Sequence, residues 1–230
     1  MNPAILHVHA LSRRDVLRAA ALGSAALATG TLPLGASAPP RPVPTSPDRA
    51  LRRLMDGNRR FVSGEAEAPR RSLERVRELS GGQSPYAAIL GCADSRVPVE
   101  ILFDEGFGDL FTVRVAGNVA TPEEIASLEY AVGVLGAQVV LVLGHTGCGA
   151  VTAALEGKAV PGQISSLFQH IAPAVPRGTA VSDGVALNVR HQVSVLTRSS
   201  PVLAEAMAAG NVAVRGAVYD LADGSVKLLD

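Results

Sequence analysis

The chain has 230 residues, of which 47% are hydrophobic and 18% are charged. This balance is typical of a globular domain with a substantial core and excludes an intrinsically disordered chain. The formal net charge is zero, with 21 basic and 21 acidic residues, and aromatic residues make up only 3%. We therefore expect no nucleic-acid partner, because the sequence offers neither a basic footprint nor a base-stacking surface.

Residues 1–38 have the order of features found in a secretory signal peptide. The twin-arginine stretch SRRDVLR occupies 12–18, and an Ala- and Gly-rich run that ends in small residues occupies 19–38. This order predicts a signal that the twin-arginine export machinery reads. The alternative is a membrane anchor, because about 20 apolar residues can span a bilayer. Three glycines and one proline make the run a poor spanning helix.

The predicted signal sets the domain organisation. Residues 39–47, PPRPVPTSP, form a Pro-rich linker, and residues 48–230 form the folded domain. We expect the protein to be exported, to the periplasm or the extracellular space. We expect the mature protein to have no stable membrane span.

Helical and strand patterns alternate along the folded domain. Caps and apolar spacing predict helices at 46–61, 72–79, 121–136, 149–156, 162–172, 183–198 and 201–209. Short apolar runs predict strands at 86–92, 110–115, 138–144 and 212–220, with a hairpin partner at 225–229. The alternation predicts an α/β fold with a central, mainly parallel β-sheet flanked by helices and a C-terminal antiparallel hairpin strand.

The two cysteines of the chain, Cys92 and Cys148, each follow a predicted buried strand. The carboxyl ends of parallel strands form the edge at which ligands bind. A disulfide is one interpretation, and a nucleophilic thiol with His145 as its base is another. We favour a metal site, because His145 and Cys148 form an H-x-x-C turn to which Cys92 adds a third ligand. Two cysteines and one histidine are a known catalytic zinc set with a fourth position for water.

Four motifs resemble those of the β-class carbonic anhydrases: CADSRVP (92–98), GDLFTVRVAGN (108–118), LEYAV (128–132) and GHTGCGAV (144–151). The resemblance runs from about Ser46 to the C-terminus. It implies that residues 48–230 are a β-carbonic-anhydrase-like catalytic domain with zinc held by Cys92, His145 and Cys148. The implied reaction is the reversible hydration of CO₂ to bicarbonate and a proton by zinc-bound hydroxide.

The resemblance also places Asp94 and Arg96 beside the metal as an acid–arginine pair. Asp94 can accept the proton of the hydroxide and orient its lone pair. Arg96 can hold Asp94 by a bidentate pair and keep it off the metal. Without the metal motif, a solvated surface pair would be the simpler interpretation of both residues.

The resemblance further implies a substrate pocket formed by Gln83, Phe111, Ala116 and Tyr130. Each of these residues also has an ordinary interpretation as a loop or core residue. Because part of the pocket wall comes from a second subunit in the family, the resemblance implies a homodimer or a homotetramer.

Two other functions remain open at this stage. A zinc hydrolase of CS₂ or COS would use the same scaffold and differ only in access to the pocket. A non-catalytic zinc or thiol binding protein is the second, and the Asp94–Arg96 pair argues against it because a structural site needs no such pair.

Overall fold

The computed structural model describes residues 44–230 except residues 158 and 177. The predicted signal peptide, 1–38, lies outside the described residues, as does the greater part of the predicted linker. Within the described part, no helix combines the length and the apolar character needed to cross a membrane.

A five-stranded sheet forms the centre of the fold. Its strands are β1 (Ala87–Gly91), β2 (Leu110–Arg114), β3 (Val139–His145), β4 (Ala213–Tyr219) and β5 (Val226–Leu229). The strand order is β2-β1-β3-β4-β5, with β1 to β4 parallel and β5 antiparallel to β4. The predicted α/β fold, with its parallel sheet and its C-terminal antiparallel strand, is confirmed.

Helices cover both faces of the sheet. They are α1 (Pro47–Ser63), α2 (Leu73–Glu78), α3 (Val99–Leu102), α4 (Pro122–Gly133), α5 (Gly149–Glu156), α6 (Phe168–Ile171), α7 (Val181–Ser199) and α8 (Pro201–Ala208). Helices α1 and α3 pack on one face, whereas α4, α7 and α8 pack on the other. The central strands therefore contact apolar groups on both sides.

Every residue of β1 and β3 is buried, and all of these residues except His145 are apolar. Their side chains alternate between the two faces, so that Leu141 contacts the α1 side and Val142 the α4 side. Burying one such side chain contributes roughly 1.5–3 kcal/mol. This two-sided burial holds the carboxyl ends of β1 and β3 in fixed positions.

The helix ends follow the predicted caps. Ser46 accepts a hydrogen bond from the backbone N–H of Arg49, and Gly64 ends α1 in the left-handed region with φ of 76°. Thr121 and Glu124 form the predicted capping box at the start of α4. These contacts satisfy backbone groups that a helix end leaves without partners.

Two helices account for the main differences between the structure and the predicted elements. The predicted helix at 162–172 is a 3₁₀ turn, Gly162–Leu167, followed by the short α6. Gly162 has φ of 58°, so this segment begins with a backbone turn that is not helical. The one-turn α3 was not predicted, since four residues are too few for a helical period to appear.

Candidate metal centre

Cys92, His145 and Cys148 meet at the carboxyl edge of the sheet. Cys92 directly follows β1, His145 is the last residue of β3, and Cys148 is the N-cap of α5. Because Gly91 pairs with Leu143, Cys92 lies level with the end of β3. The ligand atoms of the three residues lie within 4.8 Å of one another, and all three residues are buried.

The donor set fits a zinc ion. Nδ1 of His145 lies 3.0 Å from the carbonyl oxygen of Thr146, which can only accept, so Nδ1 carries the proton. Nε2 then presents its lone pair, and it is buried without a hydrogen-bond partner. Both cysteines are free thiols rather than a disulfide. A buried imidazole nitrogen that lacks a partner beside two thiols is the arrangement that Zn²⁺ satisfies.

Protons on the three ligand groups affect one another because the groups are close together. The neighbouring Cys148 thiol lowers the pKa of Cys92, and the Cys92 side chain raises the pKa of Cys148. Burial lowers the pKa of His145, but the nearby Cys92 sulfur outweighs this effect, so that the pKa is raised. Metal binding must displace these protons, so the affinity for zinc is expected to fall in acid.

Asp94 lies beside the centre and is held by Arg96. Nε of Arg96 donates to Oδ1 of Asp94 at 2.9 Å, and Nη2 donates to Oδ2 at 2.7 Å. The backbone N–H of Arg96 adds a third bond to Oδ1 at 2.9 Å. These bonds hold the pKa of Asp94 well below its usual range. Oδ2 also lies 3.8 Å from Nε2 of His145, so the carboxylate faces the ligand cluster.

Three hydrogen bonds around Cys92 and Asp94 were missed by the sequence analysis. The N–H of Gly117 donates to Sγ of Cys92 at 3.4 Å. The guanidinium of Arg114 donates to the carbonyl oxygens of Cys92 at 3.0 Å and Asp94 at 2.6 Å. The sequence signal for the first bond is the Gly117-Asn118 pair, which follows the end of β2 after two residues and is typical of a turn with positive φ.

The four predicted pocket residues do not all meet at this centre. Ala116 adjoins Gly117 and so lies next to Cys92. Gln83 precedes β1, whereas Cys92 follows it, so the two residues lie at opposite ends of a five-residue strand that is roughly 16 Å long. Phe111 and Tyr130 pair with ring centroids 6.2 Å apart, near the start of β2 rather than at its carboxyl end.

Comparisons with known proteins identify the family of the chain. The family model described as carbonic anhydrase matches residues 87–226. Carbonic anhydrase 2 of Mycobacterium tuberculosis is 40% identical to this chain, and the alignment covers 81% of this chain and 94% of the relative. The carbonic anhydrase of Mycolicibacterium smegmatis is also 40% identical, and that alignment covers 80% of this chain and 94% of the relative. The crystal structure of a β-carbonic anhydrase of Aspergillus fumigatus is 34% identical with a TM-score of 0.61, covering 68% of this chain and 81% of that one. With the family match spanning more than half of its length, this chain belongs to the β-class carbonic anhydrases.

Proposed function

We propose that the chain catalyses the zinc-dependent, reversible hydration of CO₂ to bicarbonate and a proton. The observation that carries the proposal is the buried Cys92–His145–Cys148 cluster with the Asp94 carboxylate 3.8 Å from its imidazole. A purely structural zinc site needs four protein ligands. Here three ligands stand beside a carboxylate that Arg96 holds in a separate position.

Some residues of the site hold the metal, and others orient the reacting water. Zinc, when bound, lowers the pKa of water from 15.7 toward ~7 and so supplies a nucleophile, and the two thiolate ligands make this lowering smaller. Asp94 stays ionised because of Arg96, so it can accept a hydrogen bond from the reacting water. That hydrogen bond turns a lone pair of the water toward the carbon of CO₂.

The test measures zinc content and CO₂ hydration rate together on the purified domain. We expect about one zinc per chain and a hydration rate that disappears with the metal and returns with it. A zinc-loaded protein without hydration activity would contradict the proposed function. A protein that hydrates CO₂ equally well without metal would contradict the assignment of the site.

We also propose that the chain works as a homodimer or homotetramer. Gln83, Phe111 and Tyr130 lie away from the metal ligands of their own chain, so a substrate role for them requires a second copy. Tyr130 is 48% exposed, so a large aromatic side chain of α4 stands on the surface. Aromatic side chains are enriched at the contacts between protein subunits.

Light scattering on the active protein tests this assembly. We expect at least twice the mass of one subunit, and we expect Tyr130→Arg to lower both the mass and the activity because it places a charge in the contact. The matched control is Leu228→Arg, at a residue that is also exposed (41%) but lies on β5 at the other edge of the sheet. A fully active monomer would exclude the proposal.

Export through the twin-arginine route is a further proposal, with a periplasmic or extracellular location. It is supported by the SRRDVLR stretch and the apolar run behind it. Replacing Arg13 and Arg14 by Lys is expected to leave the precursor in the cytoplasm, whereas replacing Arg18 by Lys is expected to leave export unchanged. Cell fractionation measures both, and export of the doubly substituted precursor by the same route would refute the assignment.

A further inference from the structure

Asn188 and Gln192 are polar residues on the buried face of α7. The rest of that face is mainly apolar and includes Val185, Val189 and Leu196. Asn188 is 1% exposed and Gln192 is fully buried. Burying a carboxamide costs free energy unless its donors and acceptors find partners. The partners of these two residues therefore indicate why carboxamides occupy a face that apolar groups would fill.

Both carboxamides bond to the turn that follows β2. Nδ2 of Asn188 donates to the carbonyl oxygen of Gly117 at 2.9 Å. Oε1 of Gln192 accepts from the backbone N–H of Ala120 at 2.9 Å. Nε2 of Gln192 donates to Oδ1 of Asn188 at 2.9 Å, and so fixes the orientation of the first carboxamide. The two carboxamides therefore hydrogen-bond both ends of the segment 117–120 to α7.

The same segment supplies the N–H that bonds to Cys92. Gly117 has φ of 77°, and a Cβ on it would lie 2.8 Å from Cδ1 of Ile171 and 3.2 Å from Cβ of Ala150. The turn has no space to shift toward these side chains, and its backbone conformation is one that glycine adopts without strain. The direction of the Gly117 N–H is therefore set by the packing of the turn and by its anchors on α7.

We infer that Asn188 is a positioning residue for the metal centre, acting through Gly117 on the sulfur of Cys92. Asn188 holds the carbonyl of Gly117, in the peptide that follows this residue, and the N–H of the preceding peptide donates to Sγ at 3.4 Å. Fixing the backbone on one side of Gly117 in this way restricts the direction of the N–H on its other side. A backbone N–H that donates to a thiolate stabilises its charge and fixes its direction. The inference rests on the proposed function, because it requires Cys92 to be a zinc ligand.

The test compares Asn188→Leu with Asn58→Leu. Asn58 is also a buried asparagine, 4% exposed, and it makes three hydrogen bonds to Leu102, Gly224 and Val226, none of which is a metal ligand. Both variants lose buried hydrogen bonds and should be destabilised to denaturant. Only Asn188→Leu should lower zinc affinity, by roughly 10–100-fold, the usual effect of losing a partner behind a metal ligand. Competition with a chromophoric chelator measures the affinity.

A second readout reports on the sulfur itself. In the cobalt-substituted protein, the thiolate-to-cobalt charge-transfer band should shift in Asn188→Leu and stay unchanged in Asn58→Leu. If Asn188→Leu does not fold, Asn188→Ser replaces it, because serine keeps the site polar but is too short to reach Gly117. Equal zinc affinity and an unchanged band in the Asn188 variants would overturn the inference. Absence of zinc binding by the unsubstituted protein would instead overturn the proposed function.

Discussion

Replacing Cys92 by serine is expected to remove zinc from the protein and abolish CO₂ hydration. The serine hydroxyl is not ionised at neutral pH, so the site loses one of its two thiolate ligands and keeps only His145 and Cys148. The loss of affinity should exceed the roughly 10–100-fold that follows removal of a hydrogen-bond partner behind a ligand. Zinc content after dialysis, measured beside the hydration rate, gives the result.

His145→Ala should have the same effect, and His191→Ala is its matched control. His191 is a partly buried histidine on α7, with neither a hydrogen bond nor an ion pair to the three ligands in the described part of the chain. It should keep its zinc and its rate. Zinc at one equivalent in Cys92→Ser would contradict the ligand assignment. So would a Cys92–Cys148 disulfide in freshly purified, metal-replete protein.

The sequence alone was sufficient to predict the sheet and the meeting of Cys92, His145 and Cys148 at its edge. Runs such as VVLVLG, in β3, are apolar at every position because both faces of the strand are covered. The end of such a run locates the edge of the sheet, and both cysteines stand just past such an end. The three metal-site residues could therefore be brought together without any knowledge of long-range contacts.

The polar contacts behind the ligands could not be predicted in the same way. Asn188 and Gly117 are 71 residues apart, and their contact depends on how α7 crosses the sheet. A weak signal exists nonetheless. Asn188 and Gln192 are spaced i, i+4 on a face otherwise rich in Val and Leu, and buried carboxamides at that spacing must bond to something nearby.

The buried charges on the α1 side were also beyond sequence reasoning. Glu105 accepts from Arg53 at 2.7 Å and from Arg70 at 3.0 Å, and its side chain is fully buried. Burial raises the pKa of Glu105, and the Arg53 hydrogen bonds oppose that rise. In the sequence these residues are ordinary charges of a soluble domain. Only the fold reveals that they are paired inside it.

Arg96→Ala is expected to lower CO₂ hydration by roughly 100-fold or more, the scale of a lost proton-handling group, while zinc content stays near one per chain. Arg96 makes two side-chain hydrogen bonds to Asp94. Without them the carboxylate is free to turn toward the ligand cluster, since Oδ2 already lies 3.8 Å from Nε2 of His145. As a fourth zinc ligand, Asp94 would occupy the position that the reacting water needs.

Further variants distinguish the effect of the geometry of the Arg96 side chain from the effect of its charge. Arg96→Lys keeps the positive charge but loses the planar guanidinium. Its hydration rate should therefore lie between that of the unsubstituted protein and that of Arg96→Ala. Asp94→Ala cannot fill the fourth position, but it loses the group that orients the water and should also be slow. Arg59→Ala is the control, because Arg59 pairs with Asp56 on the exposed surface of α1 and should not alter the rate.

The pH–rate profile identifies which group titrates. The bonds from Arg96 depress the pKa of Asp94, so the carboxylate is ionised in the folded protein at every pH above its usual value of about 3.9. Protonation of Asp94 therefore cannot produce a rise in activity between pH 7 and 9. Such a rise must come from ionisation of the water, which is late because two thiolates cancel most of the zinc charge. We expect activity to be low at neutral pH and to rise toward about pH 8 or above.

The Arg96→Ala variant should stay slow across the same range, because its Asp94 carboxylate remains an anionic competitor for the metal at every pH tested. Full activity of Arg96→Ala at pH 8 would falsify this account of Arg96 and leave the zinc site intact.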